Sequence, residues 1–391
     1  MPKQQLSELA LFGGSPLFGE PLHVGWPNLL QPEATLGDIG EIFASHRFTN
    51  GGPYLQAFEA ELCRQLDVPH CIAVCNGTLG LLLLLKALEL TGEVIVPSFT
   101  FPATVHVLPW LGLTPVFCDI DPASHSLDPD HVARLISPRT SAILGVHLWG
   151  ESCEIDALQD LADSHRLQLV FDAAHALGCS YRGRPIGNFG VAEVFSFHAT
   201  KFVNSLEGGA ITTHDPELAK TLRLLINFGF DASGKAILPG LNAKLNEVSA
   251  AVGRRSLQDA PALIEINRRN YTCYAEGLTG LDGVRLYAYN PEETRNYQYM
   301  ILEVDADQAG LSRDRLYQLL QSEGVICRRY FSPGCHRLPP YTGSGANLPA
   351  TDRLSTQVLA LPTGTGITPD QIGLLCGLIR LALAHSEELK K

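Results

Sequence analysis

The chain has 391 residues, 45% of them hydrophobic and 18% charged, which suits one large α/β core with a smaller companion domain and excludes a disordered polymer. A formal net charge of −12 with no Lys/Arg-rich run excludes an extended nucleic-acid surface, although a local basic pocket could still take a small anion. The 10 cysteines are scattered with no C-x-x-C pair and no matching His spacing, so no metal site is expected and the thiols should be reduced, in a cytoplasm. Met1-Pro-Lys-Gln-Gln5 does not lead into an apolar core, and the run Leu81 to Leu85 stops at Lys86, so neither export nor membrane insertion is expected.

Along the chain, strands alternate with helices from about Cys71. His70 to Cys75 reads as a strand, Thr78 to Leu90 as an apolar helix, Glu93 to Pro97 as a strand and Pro102 to Leu111 as a helix. Short β-rich runs follow at Thr114 to Ile120, Ser141 to His147, Leu167 to Asp172 and Glu193 to Phe197, with a helix from Glu154 to His165 between two of them. Strands that read as continuous apolar runs are buried on both faces, so the expected architecture is α/β with a mostly parallel central sheet covered by helices. Asn242 to about Leu278 reads as a long helical region, kinked or broken at Pro261, that leads into a smaller C-terminal α+β domain. The expected division is an N-terminal segment over 1–40, a large domain over 41–255 and a small domain over 256–391.

The chemistry gathers at strand ends. Asp172 closes the apolar run Leu-Val-Phe, and Lys201 follows the run ending at Phe197, 29 residues further on. A lysine past one strand and a carboxylate at the end of another is how an enzyme holds pyridoxal phosphate: the amine forms a Schiff base and the buried carboxylate keeps the pyridine nitrogen protonated. Asn76-Gly77-Thr78 lies between a strand and its helix, where the N–H groups of Gly77 and Thr78 and the Thr78 hydroxyl can hold a phosphate; the competing reading is an ordinary N-cap at Thr78. Ser196 is a second phosphate ligand or simply a strand side chain. Phe101 would stack on one face of the ring with Ala174 on the other, or belong to the core. His175 would bond the phenolic oxygen, or be a satisfied core histidine. No G-x-G-x-x-G follows a strand, which excludes a nicotinamide dehydrogenase.

The order Asn76-Gly-Thr78, Pro97-Ser-Phe-Thr-Phe101, Asp172-Ala-Ala-His175, Ser196 to Lys201, Glu207-Gly-Gly209 and Gly240-Leu-Asn-Ala-Lys244 resembles the DegT/DnrJ/EryC1/StrS sugar aminotransferases. The resemblance covers nearly the whole chain and implies the aspartate-aminotransferase fold, fold type I of pyridoxal-phosphate enzymes. It makes Lys201 the Schiff-base lysine, Asp172 the pyridinium partner, His175 the phenolate-side ligand, Phe101 the stacking ring, and Gly77, Thr78 and Ser196 the phosphate ligands. It further implies a homodimer with shared active sites, in which Asn242 reaches the phosphate of the neighbouring subunit. Gly145 to Gly150, Asn296 to Tyr299 and Tyr330 to His336 are similar to members that aminate C4 of dTDP-4-keto-6-deoxyglucose with L-glutamate as the donor. Ser205-Leu-Glu207 departs from the Gly-Asp pair many members carry there.

Arg328 and Arg329 are candidates for the glutamate carboxylate or the sugar diphosphate, since guanidinium forks match both, with surface arginines as the plain alternative. Tyr330, Trp149 and His198 are candidates for the sugar pocket; for Trp149 the alternative is core packing. Other readings are amination at C3 or of another nucleotide sugar, and a non-catalytic cofactor-binding regulator. Dehydratases of the family carry histidine in place of the lysine, which Lys201 disfavours.

Overall fold

A computed structural model describes residues 2–389. Its centre is a seven-stranded sheet, in spatial order His70–Val74, Gly209–Thr213, Ala192–Ser196, Gln168–Asp172, Thr140–Val146, Glu93–Pro97 and Thr114–Cys118. Six strands share one direction, and only Gly209–Thr213 runs against both its neighbours. The apolar runs form these strands because both faces are covered. Ile95, Ile143, Leu169, Phe171 and Phe195 pack on one side; Val94, Val96, Leu144, Val170 and Val194 pack on the other.

A second sheet of three antiparallel strands, Val284–Leu286, Met300–Val304 and Val358–Leu361, packs with helices Ala260–Leu278 and Pro369–Ala384 around its own apolar core. An aromatic cluster of Phe99, Trp149, Tyr289, Tyr299 and Phe331 joins the two sheets next to the ends of the central strands. Among the described residues no helix is long and apolar enough to cross a membrane.

Two expectations are corrected. The helical region begins at Glu247, not Asn242, because Asn246 caps it by accepting the Ser249 N–H at 2.8 Å. The residues before it stay extended, with Ala243 accepting the Cys75 N–H at 2.8 Å. The region is two helices, Glu247–Gln258 and Ala260–Leu278, and Pro261 sits in the first turn of the second, where its missing N–H costs nothing. The structure also adds a strand, Gly209–Thr213, where the sequence shows only the motif Glu207-Gly-Gly209.

Beneath the sheet ends lies a fully buried polar knot. Glu193 accepts the N–H groups of Gly187 and Phe189 at 2.7 Å each and lies 3.2 Å from His147 Nε2, while His147 Nδ1 accepts the Cys153 N–H at 3.1 Å. The His147 ring stacks on Phe171 at 4.4 Å, one residue before Asp172. Glu193→Ala would leave these donors without acceptors, so we expect a stability loss of about 3–5 kcal/mol by chemical denaturation. A loss below about 1 kcal/mol would show the knot to be slack.

Candidate active site

The parallel strands end in a cavity of about 410 Å³, roofed from the C-terminal part by Tyr299, Arg328, Tyr330 and Phe331. Helix Gly77–Ala87 opens onto it. The cap is Asn76, whose side chain accepts the Leu79 N–H at 2.8 Å, so Thr78 is free of that duty and lines the cavity. The N–H groups of Gly77 and Thr78, in the first turn, have no acceptor within the helix and suit an anion. Space here is tight. A Cβ on Gly77 would lie 3.3 Å from Ser196 Cβ, and one on Gly209 would come within 2.8 Å of Gly77 N and Phe195 O, so the reversed strand approaches the cradle only as glycine.

Asp172 ends Gln168–Asp172, buried at the cavity floor. Thr104, carried in by helix Pro102–Trp110, donates its hydroxyl to Oδ2 at 2.7 Å, and the Ala174 N–H donates to Oδ1 at 3.0 Å. Both donors are neutral, and burial pushes the Asp172 pKa up against them and against the nearby Lys201. The carboxylate therefore has an unmet demand for a cationic N–H, which a pyridinium nitrogen meets.

Lys201 sits in a turn closed by its own N–H donating to His198 O at 2.8 Å. Its amine points into the cavity and donates to Tyr299 Oη at 3.1 Å. Burial lowers its pKa to about 8, with Asp172 opposing the shift. His175 is buried too, and desolvation, then Lys201, hold its pKa well below the ordinary range, so it is neutral. The Trp149 N–H donates to His175 Nδ1 at 3.3 Å, which puts the ring proton on Nε2.

The cavity brings together Gly77, Thr78, Phe101, Asp172, His175, Ser196, Lys201, His198, Arg328 and Tyr330. Phe101 is 58% exposed, at the cavity mouth and not in the core. Arg328, held by its backbone to Ala360, also lines the cavity. Arg329 does not. Its guanidinium bonds Asp314 at 3.1 Å and lies 4.6 Å over the Tyr317 ring, turned away because alternate residues of an extended segment face opposite ways. Trp149 forms no part of the wall either. It is completely buried, stacked on Phe331 at 5.3 Å and His175 at 5.8 Å, and supports the site from behind. Asn242 is exposed and outside this chain's cavity.

Thr104 and Val24 escaped the sequence reading, and Tyr299 entered it only within the Asn296 to Tyr299 segment, without its contact to Lys201. Thr104 sits two residues into a helix with nothing to mark it, and Tyr299 meets Lys201 across 98 residues of chain. Glu207 lines the mouth with its carboxylate 3.6 Å from His198 Nε2.

A desolvated amine near a buried carboxylate, below an anion cradle on a parallel sheet, belongs to pyridoxal-phosphate-dependent amine-transfer enzymes. Residues 31–380 match the DegT/DnrJ/EryC1/StrS aminotransferase family, and the chain belongs to that family of pyridoxal-phosphate-dependent nucleotide-sugar aminotransferases. It is 33% identical to the dTDP-4-amino-4,6-dideoxy-D-glucose transaminase of Escherichia coli, over 88% of this chain and 94% of the relative. It is 35% identical to the dTDP-3-amino-3,4,6-trideoxy-alpha-D-glucose transaminase of Streptomyces venezuelae, over 83% and 86%. Among solved structures, DesI in the presence of its TDP-sugar product superposes with a TM-score of 0.95 at 50% identity, covering 99% of both chains.

Because only an uncharged amine is nucleophilic, acylation of Lys201 in cofactor-free protein by a small amine-selective reagent should rise with pH around a midpoint of about 8. Peptide mass spectrometry reads this. A midpoint near that of exposed lysines would contradict the desolvated setting.

Proposed function

We propose that this chain moves the amino group of L-glutamate to C4 of dTDP-4-keto-6-deoxy-D-glucose, giving dTDP-4-amino-4,6-dideoxy-D-glucose, with pyridoxal 5′-phosphate held at Asp172 and Lys201. The observation that carries it is the buried Asp172 carboxylate, held only by neutral donors, in the same cavity as the Lys201 amine. The C4 assignment is supported by the similarity to the Escherichia coli relative, and the dTDP sugar by the TDP-sugar product of DesI.

When bound, pyridoxal phosphate supplies an electron sink that lets an amino group leave one carbon and join another. Asp172 accepts the ring N–H and keeps that sink charged. Gly77, Thr78 and Ser196 hold the phosphate through N–H and hydroxyl donors at the helix terminus. Neutral His175 would stand on the phenolic-oxygen side of the ring, its one Nε2–H shared with Tyr299 Oη at 3.1 Å, because the backbone N–H of Trp149 occupies Nδ1. Phe101 and Ala174, both on the cavity wall, would hold the two faces of the ring. Lys201 would anchor the cofactor, and its Nζ would serve as base and acid, taking a proton from one carbon and returning it to another. Arg328, exposed in the cavity, binds the glutamate carboxylate or the sugar diphosphate. His198 and Tyr330 present polar groups to the sugar.

The site is completed by a second copy of the chain. The segment before Asn242 exposes Phe228, Phe230, Ile237 and Leu241, an apolar surface that a homodimer would cover while Asn242 reaches the partner's phosphate site.

Lys201→Ala should lose at least about a thousandfold in transamination while remaining folded, since it removes both attachment and proton carrier. Given C4- and C3-keto dTDP sugars side by side, the enzyme should aminate the C4 ketone; turnover of the C3 ketone alone would overturn the assignment. Mixing refolded Lys201→Ala and Asn242→Asp subunits should restore about a quarter of the wild-type activity, because a mixed dimer rebuilds one intact shared site. No recovery would contradict the shared site.

A further inference from the structure

Among the described residues, Tyr299 is the one side chain that hydrogen-bonds the Lys201 amine. It lies on Met300–Val304's approach, in the second sheet's half of the molecule, yet its hydroxyl reaches the end of the lysine turn. The surroundings dictate which way that hydroxyl works. The Trp149 N–H occupies His175 Nδ1, so the His175 proton is on Nε2, 3.1 Å from Tyr299 Oη. Oη thus accepts from His175 with one lone pair and from Lys201, also at 3.1 Å, with the other. Trp149 is itself fixed, its indole N–H donating to His125 Nδ1 at 3.1 Å. The Tyr299 backbone is fixed as well, its carbonyl accepting from Tyr289 Oη at 2.7 Å. Burial keeps the Tyr299 phenol protonated.

We propose that Tyr299 is a catalytic residue that berths the Lys201 amine whenever it is released from the cofactor, holding its protonated form by accepting an N–H at Oη. This deepens the reading of Lys201 as the reacting amine and rests on it. A hydroxyl that accepts from the amine favours ammonium over free amine, offsetting part of the desolvation that burial imposes. The proton that Nζ takes from the substrate carbon stays on the ammonium at Oη and is returned from there, so nothing else is consumed. The amine is also kept from swinging away between taking and returning the proton. The other titratable groups facing Lys201 are Asp172 and His175 on the floor, Tyr330 on the roof, and His198, Glu207 and Arg328 at the mouth. Among the described residues only the Tyr299 hydroxyl is hydrogen-bonded to Nζ, so its contribution is separated from theirs by deleting that one oxygen.

The test is Tyr299→Phe, which removes one oxygen and keeps the ring. In cofactor-free protein, the pH midpoint for acylation of Lys201 should fall by about one unit, the size expected for a hydrogen bond to a charged group. In the holoenzyme, a single turnover with glutamate should slow about tenfold while half-saturation by glutamate stays within about threefold. Tyr289→Phe is the control for packing, because it loosens the same backbone without touching the amine; its Lys201 midpoint should match wild type. An unchanged midpoint in Tyr299→Phe, or an equal fall in Tyr289→Phe, overturns the berth. Either result leaves the functional proposal standing, which fails separately if wild-type protein does not attach pyridoxal phosphate at Lys201.

Discussion

Everything in this structure is arranged around one electrostatic problem, a carboxylate and an amine enclosed in the same desolvated cavity. Burial disfavours the charged form of each, raising the Asp172 pKa and lowering that of Lys201 to about 8. Charge in such a place is costly unless it is paired, and the partners supplied by the chain are neutral: a threonine hydroxyl, a backbone N–H and a tyrosine hydroxyl. That leaves the pair reactive. The carboxylate is ready for a cationic N–H, and the amine is close to losing its proton near neutral pH.

The sheet makes the arrangement possible. Adjacent strands Gln168–Asp172 and Ala192–Ser196 point the same way, so Asp172 and the turn that bears Lys201 emerge at the same edge. The reversed strand Gly209–Thr213 packs against the cradle through a glycine and returns the chain beneath helix Gly77–Ala87. Behind these, the Glu193–His147 knot and the buried Trp149 carry no chemistry of their own, yet they set the position of Asp172 and the tautomer of His175. The aromatic cluster that includes Trp149 and Tyr299 ties the second sheet to the cavity, so packing and proton placement are the same set of contacts.

Much of this was readable from residue order. The parallel strands show as short apolar runs because both faces are buried, and Asp172, His175 and Lys201 stand out as polar residues at the ends of such runs. Gly209–Thr213 was hidden because a glycine start and a threonine end look like a turn. Asn242 to Leu245 looked helical by composition, whereas a backbone bond to Cys75 holds it extended. Trp149 and Arg329 were pocket candidates by their chemistry, with core packing and a surface arginine as the alternatives, and the structure takes the alternative for each. Which way a side chain points depends on partners far along the chain, His175 and Phe331 for one and Asp314 and Tyr317 for the other. Thr104, and the contact of Tyr299 with Lys201, were out of reach for the same reason.

A pyridinium N–H meets the demand of the buried Asp172 carboxyl and fixes its charge. The ¹⁵N chemical shift of the ring nitrogen in bound, isotope-labelled pyridoxal phosphate measures this directly. The account predicts a protonated nitrogen through neutral pH in the wild-type protein and an unprotonated one in Asp172→Asn. An unprotonated nitrogen in the wild type, or the same shift in both proteins, would contradict it.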